Sequence, residues 1–127
     1  MKTIRAHEAH NDDNAIETVI NGRRNLGIIG LTHNSLTNNF WDIIKDNNLN
    51  VLKVPSNKYG LYIYFRPGAE KQAQELKDIA EKYNGYFAYF ASKNDTRRIG
   101  QLLNYNQNDI EDFIKRNKND WHIQPTF

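Results

Sequence analysis

The residues whose types are best suited to binding or chemistry are aromatic, amide and basic side chains grouped between positions 86 and 105. Aromatic rings stack on bases, and a planar guanidinium group binds two phosphate oxygens at once. A helix is predicted to begin near residue 94, and the free N–H groups of a helix start also attract phosphate. The sequence therefore predicts a nucleotide pocket built from Phe87, Tyr89, Phe90, Asn94, Thr96, Arg97, Arg98 and Asn104.

A second arginine pair, Arg23–Arg24, is an alternative source of the phosphate contacts, and the sequence leaves open which pair binds phosphate. A purely structural interpretation is also open. In it, Phe87 and Tyr89 belong to the core, and Arg97 is a surface residue paired with Asp95.

No catalytic residue, metal site or cofactor is predicted. His7 and His10 lie close to Asp12 and Asp13, but positions three apart on a strand point to opposite faces, so we interpret this segment as structural. His33-Asn34-Ser35 matches half of a two-histidine phosphoesterase motif, and the second half is missing. The sequence therefore favours a binding protein over an enzyme.

Length and composition exclude several classes. The 127 residues predict one domain, 1–127, and the absence of cysteine excludes a disulfide scaffold, a thiolate metal site and a cysteine nucleophile. A net charge of +2 argues against binding to a nucleic-acid polymer. No apolar stretch approaches the roughly 20 residues of a membrane span, and no signal peptide is visible, so we expect a cytoplasmic protein.

The first half of the chain predicts a hairpin, a helix and two strands. Asn21-Gly22 between runs rich in Val, Ile and Thr is typical of a two-residue hairpin turn, with strands over 15–20 and 23–29. Apolar residues at helical spacing predict a helix over 35–44. Short strands are predicted over 51–54 and 59–66, and residues 2–6 are a candidate for a further strand.

The second half predicts a helix over 69–83 that stops at Asn84-Gly85, then an aromatic strand over 86–91. Two short helices follow, the first capped by Asn94 or Asp95 and the second by Asn106. The predicted fold class is α+β: a mostly antiparallel sheet of five to six strands, two longer helices and a short C-terminal helix pair, with the helices largely on one face.

The strand over 59–66 also carries a face of Tyr59, Tyr62, Tyr64 and Arg66. Exposed tyrosines often mark a protein interface, because they bring apolar area at low entropic cost. This face favours a second hypothesis, a small inhibitor that docks on a host protein complex. The alternative is that a helix covers the tyrosines.

Residues 9–15, the stretch 94–105 and the stretch 109–114 resemble small phage proteins of the Thoeris anti-defence sponge family. The resemblance implies a protein that binds a cyclic ADP-ribose isomer without cleaving it and so blocks TIR-derived immune signalling. It also implies a homodimer or a higher homo-oligomer. No ligand residue of that family is carried over, because the site residues above come from their own chemistry.

Two further hypotheses remain at this stage. Aromatic strands near arginines can bind RNA or single-stranded DNA, although the small net charge argues against it. The other hypothesis is a nucleotide phosphoesterase, for which the sequence offers no second acid–base residue.

Overall fold

The computed structural model describes residues 2–31, 39–55 and 60–117, and of Tyr89 only its place in the backbone. The elements in chain order are a 3₁₀ helix Ala6–Ala9, α1 Asp12–Ile20, β1 Leu26–Leu31, α2 Phe40–Asp46, β2 Asn50–Val54, β3 Gly60–Phe65, α3 Glu70–Glu81, α4 Phe87–Phe90, α5 Lys93–Leu102 and α6 Gln107–Asn117. No helix within these ranges is both long and apolar enough to cross a membrane.

The strands form a three-stranded antiparallel sheet in the order β1-β3-β2. Ile63 of the central strand β3 lies opposite Ile28 of β1 and Leu52 of β2. The prediction of an α+β protein with an antiparallel sheet is therefore right in outline. The prediction of five to six strands and two long helices is wrong, because two segments predicted as strands are helical.

The sheet lies between two helical layers. Leu61, Ile63 and Phe65 belong to a core cluster shared with α3 and α5, whereas Tyr64 belongs to a second cluster shared with α1 and α2. Only 1% of Tyr64 is exposed, and its ring lies 6.2 Å from that of Phe40. Helices therefore cover both faces, and the prediction of an exposed tyrosine face is wrong at Tyr64. Tyr59 lies outside the described residues.

Helix α1 replaces the first strand of the predicted hairpin. The Asn11 side chain accepts a hydrogen bond from the Asn14 N–H at 2.8 Å, which caps the helix start. Four residues on one side of the helix are buried, namely Ala15, Ile16, Thr18 and Val19. Asn21-Gly22 is a turn as predicted, with φ of +77° at Gly22, but it ends a helix. Burial of a helical stripe thus outweighs the β preference of Ile, Thr and Val.

Helix α4 replaces the predicted strand over 86–91. Asn84 and Gly85 both have positive φ and end α3 as expected. The chain then closes one helical turn through bonds from the Phe90 N–H to the Tyr86 carbonyl and from the Ala91 N–H to the Phe87 carbonyl, each 3.1 Å. The predicted strand over 86–91 is therefore wrong.

The remaining helices lie close to their predictions. α3 occupies the interior of the predicted 69–83 segment, and α6 begins after Asn106, whose side chain accepts from the Asn108 N–H at 2.9 Å. α5 begins earlier than expected, because Ser92 rather than Asn94 or Asp95 is its cap. α2 confirms residues 40–44 of the predicted 35–44 helix and continues to Asp46. Residues 35–38 lie outside the described residues. Residues 2–6 form no strand, only a single bridge between Ile4 and Tyr105.

Gly100 sets how closely α5 and α6 approach. A Cβ atom at this position would lie 2.6 Å from Cγ1 of Ile110 on α6. We expect Gly100→Ala to lower the free energy of unfolding by about 1–2 kcal/mol, since overpacking costs about 1–3 kcal/mol and the better helix propensity of alanine returns about 1 kcal/mol. Urea denaturation measures the change. Gln101→Ala, on the exposed side of α5, is the control and should change stability by no more than about 0.5 kcal/mol. A Gly100→Ala protein as stable as the wild type would contradict this packing.

Candidate functional site

A cavity of about 340 Å³ lies between α5 and α6. Its α5 wall is a stripe at positions i, i+3, i+4 and i+7, formed by Thr96, Ile99, Gly100 and Leu103. This spacing places the four residues on one side of the helix. The absence of a side chain at Gly100 allows Ile110 to pack beside the cavity.

The α6 wall repeats the same spacing with polar and aromatic residues, Asp109, Asp112, Phe113 and Arg116. Phe87 and Ala88 of α4, Tyr105 of the α5–α6 joint, Ile28 of β1 and Ala6 complete the wall. The cavity therefore combines three aromatic residues with charged groups on one helix. Its volume lies at the lower end of the roughly 300–1,000 Å³ of small-molecule sites.

Thr96 carries a buried polar group beside the cavity. Its Oγ1 atom is buried and, among the described residues, has no hydrogen-bond partner. An unsatisfied buried hydroxyl costs about 1–3 kcal/mol, so a native structure that retains one needs a reason for it. A ligand that exchanges a hydrogen bond with Thr96 would remove this cost.

Asp112 and Arg116 are the charged groups that remain available at the cavity. Within the described ranges, neither side chain has a salt-bridge partner, and the Arg116 Nε donates only to the Asp112 main-chain carbonyl at 3.3 Å. Both residues are exposed. The site thus offers one carboxylate and one guanidinium group to a ligand.

Asp109 has a structural task instead. It accepts bonds from the Arg5 Nε at 2.8 Å and from the Ala6 N–H at 2.9 Å, which ties the N-terminal segment to α6. These hydrogen bonds lower the pKa of Asp109 to about 2. A carboxylate with so low a pKa binds a proton too weakly to serve as an efficient general base near neutral pH.

The depressed pKa of Asp109 predicts a pH dependence of stability. Since the pKa is lower in the folded than in the unfolded chain, this stabilisation is present above pH about 4 and is lost as the pH falls towards 2. We expect Asp109→Asn to lower the urea midpoint at pH 6, and the difference from wild type to disappear near pH 2. Arg5→Gln, which removes the partner, should show the same dependence. A difference in urea midpoint that stays constant from pH 6 to pH 2 would contradict the stabilising role of the ionised Asp109.

A smaller cavity of about 180 Å³ adjoins the first. It lies between residues 28–30 of β1 and residues 85–88 around α4. Ile28, Phe87 and Ala88 line both cavities and separate them. The two cavities therefore form neighbouring compartments along β1.

The structure brings together only part of the predicted nucleotide pocket. Phe87 and Thr96 meet at the larger cavity. Arg97 binds Glu111 of α6 through two bonds of 2.9 and 3.0 Å, and Arg98 binds Glu75 of α3, with an Nη2–Oε1 distance of 2.7 Å. The two guanidinium groups thus bind carboxylates on different helices and do not converge on a common ligand.

The other predicted cations and Asn104 have intramolecular contacts. Arg23 forms a salt bridge of 2.6 Å with Glu8. Arg24 is 1% exposed and lines neither of the two cavities. Asn104 has a positive φ after α5, and its side chain donates to the carbonyls of Lys2 and Arg23 at 2.9 and 3.1 Å. A ligand role for these residues stays a prediction.

Phe90 and Asn94 are not among the residues that line the cavity. Phe90 packs edge-to-face against Tyr86, with ring centroids 6.2 Å apart. Asn94 accepts from Arg97 at 3.5 Å. Tyr89 lies in α4.

Sequence reasoning missed Tyr105, Asp112, Phe113 and Arg116 as cavity residues. A signal was present, because positions 109, 112, 113 and 116 share one side of a helix. The same spacing is also typical of a solvated helix, so it could not be interpreted without its partner α5. No group of three or more His, Asp or Glu residues able to hold a metal ion is found in the described part of the chain. His33 lies outside that part.

No protein-family model matches the chain, and no curated protein matches it. The fold belongs to a class seen in a solved enzyme. It is similar to the crystal structure of the bacterial cysteine methyltransferase effector NleE, with a TM-score of 0.71 and 20% sequence identity over 94% of this chain and 67% of that one.

A likeness at this identity establishes the fold alone. Because this fold is one that an enzyme uses, the likeness contradicts the prediction of a non-enzymatic nucleotide sponge and the prediction that the protein is not an enzyme. By itself it assigns no activity to this chain. The resemblance to the Thoeris family is not tested by any of these comparisons and stays a prediction.

Proposed function

We propose that the chain is a methyl-transferring enzyme whose donor binds in the cavity between α5 and α6. The observation that carries the proposal is the composition of this cavity: aromatic walls, the buried Thr96 hydroxyl, and the charged groups of Asp112 and Arg116. The likeness to NleE, described as a cysteine methyltransferase, supports the reaction class. Because this chain has no cysteine, a thiol acceptor would belong to another molecule.

The residues of the cavity fit a donor of the S-adenosylmethionine type. Such a donor has a purine ring, a ribose with two hydroxyl groups, a sulfonium cation and an amino-acid end. Phe87, Tyr105 and Phe113 supply faces for the purine and for the cation. Asp112 and the Thr96 hydroxyl are suited to the ribose hydroxyls, and Arg116 is suited to the carboxylate of the amino-acid end.

The chemistry that this donor supplies when bound is an electrophilic methyl carbon. The chain's own contribution is to bind the donor and to orient it. The apolar side chains of Ile99 and Leu103 exclude water from one side of the cavity, which strengthens polar contacts on the other. No general base is assigned. The acceptor thiol loses its proton to solvent, its thiolate sulfur then bonds to the methyl carbon as the sulfur–methyl bond of the donor breaks, and S-adenosylhomocysteine leaves. Asp109 is held by Arg5.

Calorimetric titration of the full chain with S-adenosylmethionine and with S-adenosylhomocysteine tests the proposal. We expect saturable one-to-one binding of both. Thr96→Val, which keeps the side-chain volume and removes the hydroxyl, should weaken binding about fivefold to tenfold, the value of one hydrogen bond. Thr96→Ser is the matched control and should bind within about twofold of wild type. No heat of binding for either ligand would overturn the proposal.

Self-association, expected from the sequence resemblance, remains a separate proposal. Sedimentation velocity over a hundredfold concentration range decides it. A sedimentation coefficient of a single 14.9 kDa chain at every concentration would reject the homo-oligomer.

A further inference from the structure

The outer edge of β1 presents backbone groups that have no hydrogen-bond partner among residues 2–31, 39–55 and 60–117. The Arg66 N–H donates to the Asn25 carbonyl at 2.9 Å, which places Asn25 and Arg66 in a hydrogen-bonded pair. In an antiparallel ladder such pairs alternate, so Gly27, Ile29 and Leu31 bond to β3. The N–H and C=O groups of Ile28 and Gly30 therefore point away from the sheet, and no hydrogen bond to them is found in the described part of the chain.

The residues that carry these groups line the two cavities. Gly30 lines the smaller cavity, and Ile28 lines both. The opposite wall of the smaller cavity is the segment 85–88. The smaller cavity therefore lies beside the edge of β1, whose outward donors and acceptors bond to none of the described residues.

The edge of β1 also lacks the usual protection of an edge strand. Natural sheets discourage pairing at a free edge with lysine, proline or a bulge. The other edge strand, β2, carries the exposed Lys53. β1 has the sequence Leu-Gly-Ile-Ile-Gly-Leu, with no charge and no proline. The two edges of one sheet thus differ, and the unprotected one lies beside the cavities.

A strand added at this edge would bring one of its side chains to the larger cavity. Residues directly opposite each other on paired strands project to the same face of a sheet. Ile28 packs against the core cluster that contains Ile99 and Leu103, both of which line the larger cavity. A residue paired with Ile28 would therefore project towards the same compartment.

We propose that the edge of β1 binds an extended peptide segment of the acceptor protein, which adds as a fourth strand and carries its cysteine opposite Ile28. This inference rests on the proposed methyl-transfer function and names its substrate class. Main-chain hydrogen bonds to Ile28 and Gly30 would supply the register, as in other proteins that bind peptides by strand addition. The thiol would then lie beside the donor cavity.

The probe is a synthetic library of nine-residue peptides with cysteine at the centre and random flanks, incubated with the full chain and S-adenosylhomocysteine. Retained peptides are identified by mass spectrometry, and amide hydrogen exchange is followed by NMR. We expect the amides of Ile28 and Gly30 to exchange at least about tenfold more slowly with a retained peptide. The outward amides of Val51 and Lys53 on β2 should be unchanged.

Proline substitutions provide the matched variants. Gly30→Pro removes an outward N–H and leaves the β1–β3 ladder, so it should weaken peptide binding at least about tenfold. Lys53→Pro makes the same change at the other edge and should leave peptide binding within about twofold. Both variants should still bind S-adenosylhomocysteine, which shows that they are folded.

The outcomes separate this inference from the proposed function. Binding of S-adenosylhomocysteine without any retained peptide, or with a peptide that leaves the Ile28 and Gly30 amides unchanged, would overturn the strand-addition inference alone. Protection of these amides in the protein by itself, increasing with concentration, would assign the edge to a second copy of the chain and also overturn it. Absence of S-adenosylhomocysteine binding would overturn the proposed function.

Discussion

Replacing Arg24 by alanine is expected to lower the free energy of unfolding by about 3–4 kcal/mol. Arg24 is 1% exposed and is a buried cation whose hydrogen bonds run to neutral oxygen atoms. Its Nε donates to the Thr18 hydroxyl at 2.6 Å and its Nη2 to the Ala15 carbonyl at 3.1 Å. The guanidinium group also lies 5.7 Å from the centroid of the Tyr105 ring.

The cost of Arg24→Ala has two sources. The substitution leaves a cavity where the long side chain packed, and it removes two hydrogen bonds to α1, so that the Thr18 hydroxyl and the Ala15 carbonyl keep the bond between them at 2.6 Å. The Nη1 group also donates to the Leu103 carbonyl at 3.4 Å, so the residue connects α1 with the end of α5. Leu103 and Tyr105 also line the cavity between α5 and α6, so loss of the Arg24 side chain should also disturb the packing of that cavity.

Arg24→Met is the matched variant, since it retains most of the volume and removes the charge. We expect it to cost about half as much as alanine, because replacing a buried charge by an apolar side chain is often tolerated. Urea denaturation at pH 7 compares the two. An alanine variant within about 0.5 kcal/mol of wild type would show that the guanidinium group is not structural.

The second large effect concerns the charged groups of the cavity. We expect the double substitution Asp112→Ala with Arg116→Ala to weaken binding of S-adenosylhomocysteine at least about 100-fold. Each hydrogen bond to a charged group contributes about 1.5–3 kcal/mol, and each 1.4 kcal/mol is a factor of ten. Neither residue belongs to the buried core, so the fold should persist.

Lys115→Ala is the control for this experiment. Lys115 is an exposed cation of the same helix, next to Arg116, and it does not line the cavity. Its removal should leave the dissociation constant within about twofold. Equal weakening by Lys115→Ala and by Arg116→Ala would indicate a long-range charge effect and would argue against a direct contact.

The parts of the fold that could be predicted from the sequence have strong local signals. The alternation of Leu61, Ile63 and Phe65 identifies β3. Asn84-Gly85 marks the stop of the helix that precedes it, α3. The tail helices are likewise defined by spacing and by the Asn106 cap. These features depend on residues close in sequence, which is why single-sequence reasoning finds them.

The errors occur where tertiary contacts outweigh local preference. α1 contains Ile16, Thr18 and Val19, residue types that favour strands, yet a helix lets all three reach buried positions. The aromatic run before Ala91 likewise reads as a strand, although it forms one helical turn. Each of these errors added a strand to the predicted sheet.

Of the ten residues predicted for the site, Phe87 and Thr96 line the cavity between α5 and α6, and only nine positions separate them in the sequence. The arginines could not be assigned, because their partners are distant in sequence: Glu75 lies 23 positions from Arg98, and Glu111 lies 14 positions from Arg97. Only the packed structure shows which guanidinium groups already hold a carboxylate.

Transfer of a labelled methyl group tests the central claim most directly. The full chain is incubated with S-adenosylmethionine carrying a ¹³C-labelled methyl group and with the cysteine-centred peptide library, and the peptides are analysed by mass spectrometry. We predict labelled S-methylcysteine with wild type and with Lys115→Ala, and at least about 100-fold less with the Asp112→Ala/Arg116→Ala protein. Label that stays on the donor at the level seen without protein, or equal transfer by the double variant, would contradict a methyl-transfer site between α5 and α6.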